Sequence, residues 1–179
     1  ITIDDCVDVT HAVNHILDEA DPNHLYIGAR LLEAFYNDEN MMKVLGYHCD
    51  IITLNYYHRT YPFTEEVLGI AKWSGKPFMF TEWYAKGMDA CTPETGLSNT
   101  SGAGWTVRTQ EDRGIFYECF TLKLLESKYC VGYDWFSYVD NDPKSDSADA
   151  SNTSANKGIF ALDGDEYTDL TKHMSAVNN

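Results

Sequence analysis

The stretch KPFMFTEWYAKG, residues 76–87, decides the fold, because its apolar run Phe78-Met79-Phe80 leads directly into a carboxylate, Glu82. An apolar run that begins just after a proline is typical of a buried strand, since proline is tolerated at a strand start. Three further runs have the same character: HLYIGARL at 24–31, CDIITLNYY at 49–57 and CVGYDWFSY at 130–138. The sequence therefore predicts four buried strands.

Helical patterns separate these strands. Apolar residues at helical spacing, from Val9 to Leu17, predict a first helix that ends at Asp21-Pro22. Four further helices are predicted, at 33–47, at 64–75, from Thr109 onward and around Leu170 and Met174. Residues 85–107 form a long loop rich in Gly, Thr and Ser, and loops of that length in a compact domain are usually functional.

Continuous apolar strands that alternate with amphipathic helices indicate a parallel sheet with helices on its faces. Four strand–helix units are too few for a closed eight-stranded barrel, which takes about 250 residues. Two α/β architectures therefore fit: a small doubly wound sheet, or half of a (β/α)8 barrel. We expect parallel, adjacent strands near 25–30, 50–55, 77–82 and 131–136, with Arg30, Tyr56, Glu82 and Trp135 at one rim.

Charge and cysteine content exclude several classes of protein. The 13 Lys and Arg stand against 28 Asp and Glu, which excludes a nucleic-acid-binding protein that works through a basic surface and disfavours an anionic membrane surface. The five cysteines contain no CxxC pair, and Cys119 and Cys130 lie in apolar stretches, which predicts buried thiols. Four acidic residues lack the spacing of a known calcium loop and are predicted to be solvated: Asp140, Asp142, Asp146 and Asp149.

The residues at the predicted strand ends distinguish the two architectures. Catalytic groups of an α/β barrel project from the C-terminal ends of its strands. Here those ends are Arg30, Asn55-Tyr56-Tyr57-His58, Glu82-Trp83-Tyr84 and Trp135-Phe136-Ser137-Tyr138. One carboxylate among aromatic, amide and guanidinium groups is typical of a sugar site, because rings pack on pyranose faces and fixed polar groups bind hydroxyls. No Gly-rich phosphate loop follows any strand, which removes a nucleotide-binding function.

Four motifs, in the correct order, resemble the retaining glycoside hydrolases with a (β/α)8 barrel, clan A. KPFMFTEWYAKG is similar to their seventh strand, CDIITLNYY to the sixth, VGYDWFSYVDND to the eighth and NKGIFALDGDEYTDLTKHMSAVN to their closing segment. EWYAKGMD, SGAGWTVRTQEDRG and LLESKYCVGYDWF together look closest to agarase-like members, including glycoside hydrolase family 50. The resemblance implies an α/β fold in which residues 1–179 are the C-terminal half (strands five to eight) of a single TIM-barrel catalytic domain, with no second domain.

The resemblance and the chemistry together point to Glu82 as the nucleophile. A retaining glycosidase needs one ionised carboxylate to attack the anomeric carbon and one protonated carboxyl group to assist the leaving group. Tyr56 or Tyr57 is expected to hydrogen-bond Glu82 and hold it ionised, and Trp135 is expected to lie under the sugar. The other expected substrate-binding residues are Arg30, Asn55, His58, Trp83 and Trp105.

Each of these roles has a structural alternative. For Trp83, Trp105 and Trp135 it is packing, for His58 a solvated position at the rim, and for Arg30 a surface salt bridge. The resemblance also implies a cis peptide bond between Trp135 and Phe136.

One departure from the family pattern concerns the general acid/base. The family uses a Glu that follows Asn at the end of the fourth strand, and no Asn-Glu dipeptide occurs in the 179 residues. By register that strand precedes Ile1, so the chain is expected to begin inside a folded domain and the acid/base to lie outside it. Glu33 is the nearest substitute in sequence, but it opens a helix.

These observations predict part of a secreted or periplasmic retaining β-glycosidase acting on a galactan such as agarose, with no cofactor and no metal because two carboxylates suffice. The expected partners are a polysaccharide or oligosaccharide substrate and the missing N-terminal half of the barrel. Without that half the segment is expected to be inert. Three alternatives remain: a β-glycosidase of the same clan acting on another β-glycan, a non-catalytic carbohydrate-binding barrel, and a free-standing α/β binding module.

Overall fold

The computed structural model describes residues 3–32, 35 and 37–179, so Glu33 lies outside the described residues. The chain divides into two compact units. The first unit comprises Ile1–Tyr56, Phe63–Thr81 and Leu124–Tyr133, and the second comprises Tyr57–Pro62, Glu82–Lys123 and Asp134–Asn179. No helix among the described residues has the length and apolar character needed to cross a bilayer.

Among the described residues of the first unit, α1 spans Ile3–Ala20, α2 spans Glu39–His48 and α3 spans Thr64–Ser74. The Asp38 carboxylate caps α2 by accepting hydrogen bonds from the backbone N–H groups of Asn40 and Met41. α3 ends at Gly75, whose φ of 67° is the left-handed conformation that favours glycine at a helix end. The predicted helix at 64–75 is confirmed.

Five strands are found in the described part of the chain: β1 Ile52–Asn55, β2 Phe78–Trp83, β3 Ala85–Gly87, β4 Trp105–Val107 and β5 Cys130–Trp135. The main sheet has the order β1-β2-β5. Phe78 N, at the start of β2, donates to Tyr129 O just before β5, and Phe136 N just after β5 donates to Trp83 O at the end of β2. The start of one strand thus pairs with the start of the other, so the pairing is parallel. Three of the four predicted strands are therefore confirmed.

The predicted strand near 25–30 is wrong. This segment approaches β1 at Tyr26, whose carbonyl accepts from Asp50 N, and at Leu31, which bridges Leu54 in parallel, but it forms no regular strand. Gly28 lies between these points with φ of 64°, a conformation that breaks an extended run. Its missing Cβ also makes room for the Cys49 thiol, which would come within 2.6 Å of a methyl group there.

The second unit contains the whole of the predicted long loop, and the loop is more regular than expected. β3 pairs in parallel with β4, joining Ala85 to Trp105 and Gly87 to Val107. A 3-10 turn, Met88–Ala90, follows β3 directly. Residues 85–107 are thus tied together at both ends by a two-stranded sheet.

Two helices complete the second unit, α4 at Gln110–Glu126 and α5 at Thr168–Asn178; α4 ends in the first unit, which takes Leu124 onward. The Thr109 hydroxyl accepts from Asp112 N at 3.1 Å, so the predicted helix start there is confirmed. The prediction that Cys119 is buried is wrong: Cys119 is exposed and Cys130 is half-buried. Cys119 lies one turn from Ile115, which is itself 46% exposed, and both line an open pocket with Thr60 and Val107.

Candidate active site

Glu82 lies near the C-terminal end of β2 and is half-buried. The Tyr57 hydroxyl donates a hydrogen bond to Glu82 Oε2 at 2.7 Å. This hydrogen bond fixes the orientation of the carboxylate. Of the two tyrosines expected near Glu82, Tyr57 is the one whose hydroxyl donates to it.

Tyr84 lies two residues beyond Glu82 and extends the site. Its ring is 5.7 Å from that of Tyr57 in an edge-on arrangement, and its hydroxyl donates to Asn152 Oδ1 at 2.6 Å. Burial raises the pKa of Tyr84 to about 12, with smaller contributions from Asp149 and Glu82 in the same direction. Tyr84 is therefore a neutral wall of the site at any physiological pH.

The expectation that Trp83 binds substrate is wrong. Trp83 is 1% exposed and stacks on Phe120 of α4, with ring centroids 4.0 Å apart and an interplanar angle of 8°. Because side chains alternate along a strand, Trp83 points away from the face that carries Glu82. Its role is to hold α4 on the sheet.

Trp135 is half-buried and also packs within this aromatic group. Its ring contacts Trp83 edge-on at 5.2 Å, and the Arg113 guanidinium lies over it at 5.4 Å. The indole Nε1 donates to Lys157 O at 2.8 Å. The polar atom and one ring face of Trp135 are thus used in packing, and its place under the sugar stays a prediction.

The expected cis bond is displaced by one residue. It joins Phe136 to Ser137 rather than Trp135 to Phe136. Phe136 N still donates to Trp83 O, so the chain remains paired through Phe136 and turns only afterwards.

Three predicted residues, Arg30, Asn55 and Tyr56, belong to the first unit. Tyr56 is 1% exposed, stacks on Phe80 at 4.6 Å and donates its hydroxyl hydrogen to Glu66. Its substrate-binding role is therefore wrong, because ring and hydroxyl are both used inside the unit. Asn55 is buried and accepts from the Thr81 hydroxyl at 3.0 Å, which makes it part of the sheet's own packing, whereas Arg30 is exposed.

His58 and Trp105 line one open pocket of about 350 Å³ in the second unit, together with Lys86 and residues 102–106. Trp105 is 43% exposed, and His58 has a left-handed φ of 59° with its N–H donating to Ala103 O. An exposed indole beside a polar ring suits the apolar face and hydroxyls of a sugar. The substrate-binding roles of His58 and Trp105 stay predictions.

A buried polar network that sequence reasoning missed supports the site. Asp140, predicted to be solvated, is 4% exposed, and its carboxylate accepts from Lys157 N, Gly158 N, Asn156 Nδ2 and the Tyr167 hydroxyl. Burial and Asp140 raise the pKa of Tyr167, so its hydroxyl remains a donor.

Arg113, which is fully buried, supplies the opposite charge. It donates from Nε to Ala85 O and from Nη2 to Gly158 O, at 2.8 and 2.9 Å. Burial lowers the pKa of Arg113, and Asp140 is the largest influence in the other direction. No sequence signal distinguishes the buried Asp140 from the exposed aspartates of the same loop. Tyr84, by contrast, is predictable as a site residue, because alternation along the strand places it on the same face as Glu82.

Comparison with known proteins agrees with the resemblance that the sequence motifs indicate. No family model matches the chain. It is 24% identical over 162 residues to beta-agarase B of Vibrio sp. (strain JT0107), which covers 88% of this chain and 15% of the relative. It is 37% identical to the crystal structure of BpGH50, with a TM-score of 0.84 over 97% of this chain and 35% of that one.

The structure of an exo-beta-agarase shares the fold at 22% identity, with a TM-score of 0.82 over 97% of this chain and 22% of that one. The chain thus spans about a third or less of the length of each of these proteins. Over nearly its whole length it is an α/β chain with parallel sheets that resembles agarase-like glycoside hydrolases of family 50, and it corresponds to one part of such a larger protein.

Proposed function

We propose that this chain is the C-terminal half of a (β/α)8 barrel whose intact protein hydrolyses β-glycosidic bonds of a galactan such as agarose. The observation that carries the proposal is Glu82, near the end of a buried parallel strand with the Tyr57 hydroxyl 2.7 Å away. The similarity to proteins named as agarases supports the substrate class.

Exposed apolar surface supports the half-barrel part of the proposal. Val9 and Ile16 on α1 are each 64% exposed, and Val131 of the outer strand β5 is 57% exposed. An apolar helix face and a strand edge of this kind are normally covered, because they otherwise promote association. The upstream half of a barrel is the covering element we propose.

The proposed reaction is a double displacement. A Glu82 carboxylate oxygen attacks the anomeric carbon, the glycosidic C–O bond breaks, and a carboxylic acid from the upstream half gives its proton to the leaving oxygen. That group, then a carboxylate, takes a proton from water as the water oxygen attacks the anomeric carbon. The bond to Glu82 breaks, and two inversions leave the configuration retained. The two carboxyl groups should lie about 5–5.5 Å apart.

We further propose that the protein acts outside the cytoplasm, where a galactan polymer is found, and that the reaction needs no cofactor.

The experiment is hydrolysis by the intact protein of agarose, porphyran, β-glucan and mannan. Glu82→Gln removes the nucleophile and should lower turnover by at least about 10³-fold with substrate binding retained. Glu65→Gln is the matched control, since Glu65 is exposed in the first turn of α3, and should leave turnover unchanged. Full activity of Glu82→Gln would refute the mechanism, and binding without turnover by the wild type would favour a non-catalytic binding protein.

A further inference from the structure

Lys86 is a buried cation that the reaction described above does not use. It lies in β3 and is 6% exposed, and its ammonium donates to the backbone carbonyls of three residues: Asn99 at 3.3 Å, Ser101 at 3.0 Å and Gly102 at 2.9 Å. An ammonium has three N–H donors, so all of them are used within the chain. Lys86 therefore lines the pocket of His58 and Trp105 without a donor left for a substrate hydroxyl.

Residues 99–105, here the 99–105 segment, are closed onto β3 at both ends. The Lys86 ammonium holds the beginning of the segment, and the pairing of Ala85 with Trp105 holds its end. The turn at its beginning uses left-handed φ values, 55° at Asn99 and 84° at Gly102. Carbonyl oxygens that converge on one point repel one another unless a cation lies between them, so the turn depends on the ammonium.

Tyr84 supports the same segment from another side. A Cβ on Gly102 would lie 2.2 Å from the Tyr84 hydroxyl, and a Cβ on Gly104 would lie 2.5 Å from the Tyr84 ring. The segment thus lies with its backbone directly on this tyrosine. Trp105 N also donates to Tyr84 O at 3.2 Å. Because Tyr84 is a wall of the Glu82 site, the pocket adjoins that site.

His58 is held to the same segment from across the pocket. Its N–H donates to Ala103 O at 3.4 Å, next to the Gly102 carbonyl that accepts from Lys86. Both residues predicted to bind substrate in this pocket, His58 and Trp105, are therefore fixed by the position of the 99–105 segment. All of these residues belong to the second unit.

We propose that Lys86 is a positioning residue of the substrate pocket: its ammonium holds the 99–105 segment in place, so that Trp105 and His58 are ordered before a sugar binds. The inference rests on the proposed function, since it takes this pocket as part of the site for a galactan. Side chains that are already ordered lose less conformational entropy on binding, which strengthens binding without a new contact.

The test is binding of agarose oligosaccharides to the intact protein, measured by titration calorimetry in a Glu82→Gln background so that no turnover occurs. Lys86→Met removes all three donors and should raise Kd about 10-fold, because the freed segment must be ordered on binding. Lys144→Met is the matched control, an exposed lysine of the second unit, and should leave Kd unchanged. Lys86→Gln retains two donors and gives the same readout with a smaller effect if the methionine variant does not fold.

A double substitution separates positioning from a general loss of stability. Adding Lys86→Met to Trp105→Ala should weaken binding by less than about 3-fold beyond Trp105→Ala alone, because both changes act on one wall of the pocket. With Glu82 intact, Lys86→Met should raise KM and change kcat by less than about 3-fold, since the bond between Tyr57 and Glu82 does not involve the 99–105 segment.

Unchanged Kd in folded Lys86→Met and Lys86→Gln proteins would overturn this proposal and leave the proposed function standing. Effects of Lys86→Met and Trp105→Ala that multiply in full would do the same. Binding that depends on Lys86, in a protein that with Glu82 intact shows no turnover, would support the role of Lys86 and overturn the proposed function. A folded protein that binds no oligosaccharide would overturn both.

Discussion

Replacing Asp140 by asparagine should destabilise the protein strongly although the side chain keeps its shape. Oδ1 of Asp140 accepts from Lys157 N and Gly158 N at 2.7 and 2.6 Å, and an amide oxygen can still do so. Oδ2 accepts from Asn156 Nδ2 and the Tyr167 hydroxyl, so an amide NH2 there would face two donors. The substitution also removes the negative charge that opposes Arg113.

The expected loss is about 2–6 kcal/mol of unfolding free energy, because two buried donors lose their acceptor at about 1–3 kcal/mol each. It is measured by urea unfolding of the intact protein, followed by tryptophan fluorescence. Asp146→Asn is the control, since Asp146 is exposed in the same loop, and should change stability by less than about 0.5 kcal/mol. Adding Arg113→Met to Asp140→Asn should cost less than the sum of the two single changes.

Two results would refute this reasoning. One is an Asp140→Asn protein within about 1 kcal/mol of the wild type, which would mean that the buried carboxylate is replaceable. The other is strict additivity of the double substitution, which would mean that Asp140 and Arg113 do not interact.

Lys86→Met should cost about 2–3 kcal/mol in the same unfolding assay, because three backbone carbonyls that accept from this ammonium at 2.9–3.3 Å lose their donor. His173 lies between two glutamates of α4, whose hydrogen bonds raise its pKa above 6.5. Its stabilisation is therefore complete below pH 6.5 and lost as pH rises through the raised value, so His173→Gln should lower the melting temperature at pH 5.5 and much less at pH 8.5. Trp83→Ala should cost about 3–5 kcal/mol, and an equal melting temperature for wild type and variant would contradict its core position. Trp105→Ala should leave stability within about 0.5 kcal/mol and raise KM for oligosaccharides.

The strands and helices with uninterrupted patterns are predictable from sequence. β1 and β2 follow from continuous apolar runs, and α3 follows from its spacing and from Gly75. The predicted strand at 25–30 is wrong because an apolar run does not show that Gly28 adopts a left-handed φ. The short strands β3 and β4 are not predictable from sequence, because the glycine-rich segment that contains them has the composition of a loop.

Within the site, the position of Glu82 at a strand end and the nearby Tyr57 are predictable from sequence. The roles of the tryptophans depend on the packing of the folded chain. An aromatic residue beside a strand end faces either the site or the helices, and Trp83 and Trp135 both pack with α4. Side chains alternate along β2, so Glu82 and Trp83 lie on opposite faces of the sheet. The packing role of Trp83 is therefore predictable from sequence once Glu82 is placed in the site. Asp140 and Lys157 depend on how a polar loop folds back, which no local pattern encodes.

The most direct test of the central claim is to identify the carboxylate that becomes glycosylated. The intact protein is treated with a 2-deoxy-2-fluoro glycosyl fluoride of the galactan series, which slows release of the intermediate, then digested and mapped by mass spectrometry. We predict one added glycosyl group, located on the peptide that contains Glu82 and absent from Glu82→Gln. A glycosyl group on any other carboxylate, or turnover of natural oligosaccharides with inversion and no labelled peptide, would contradict the claim that Glu82 is the nucleophile.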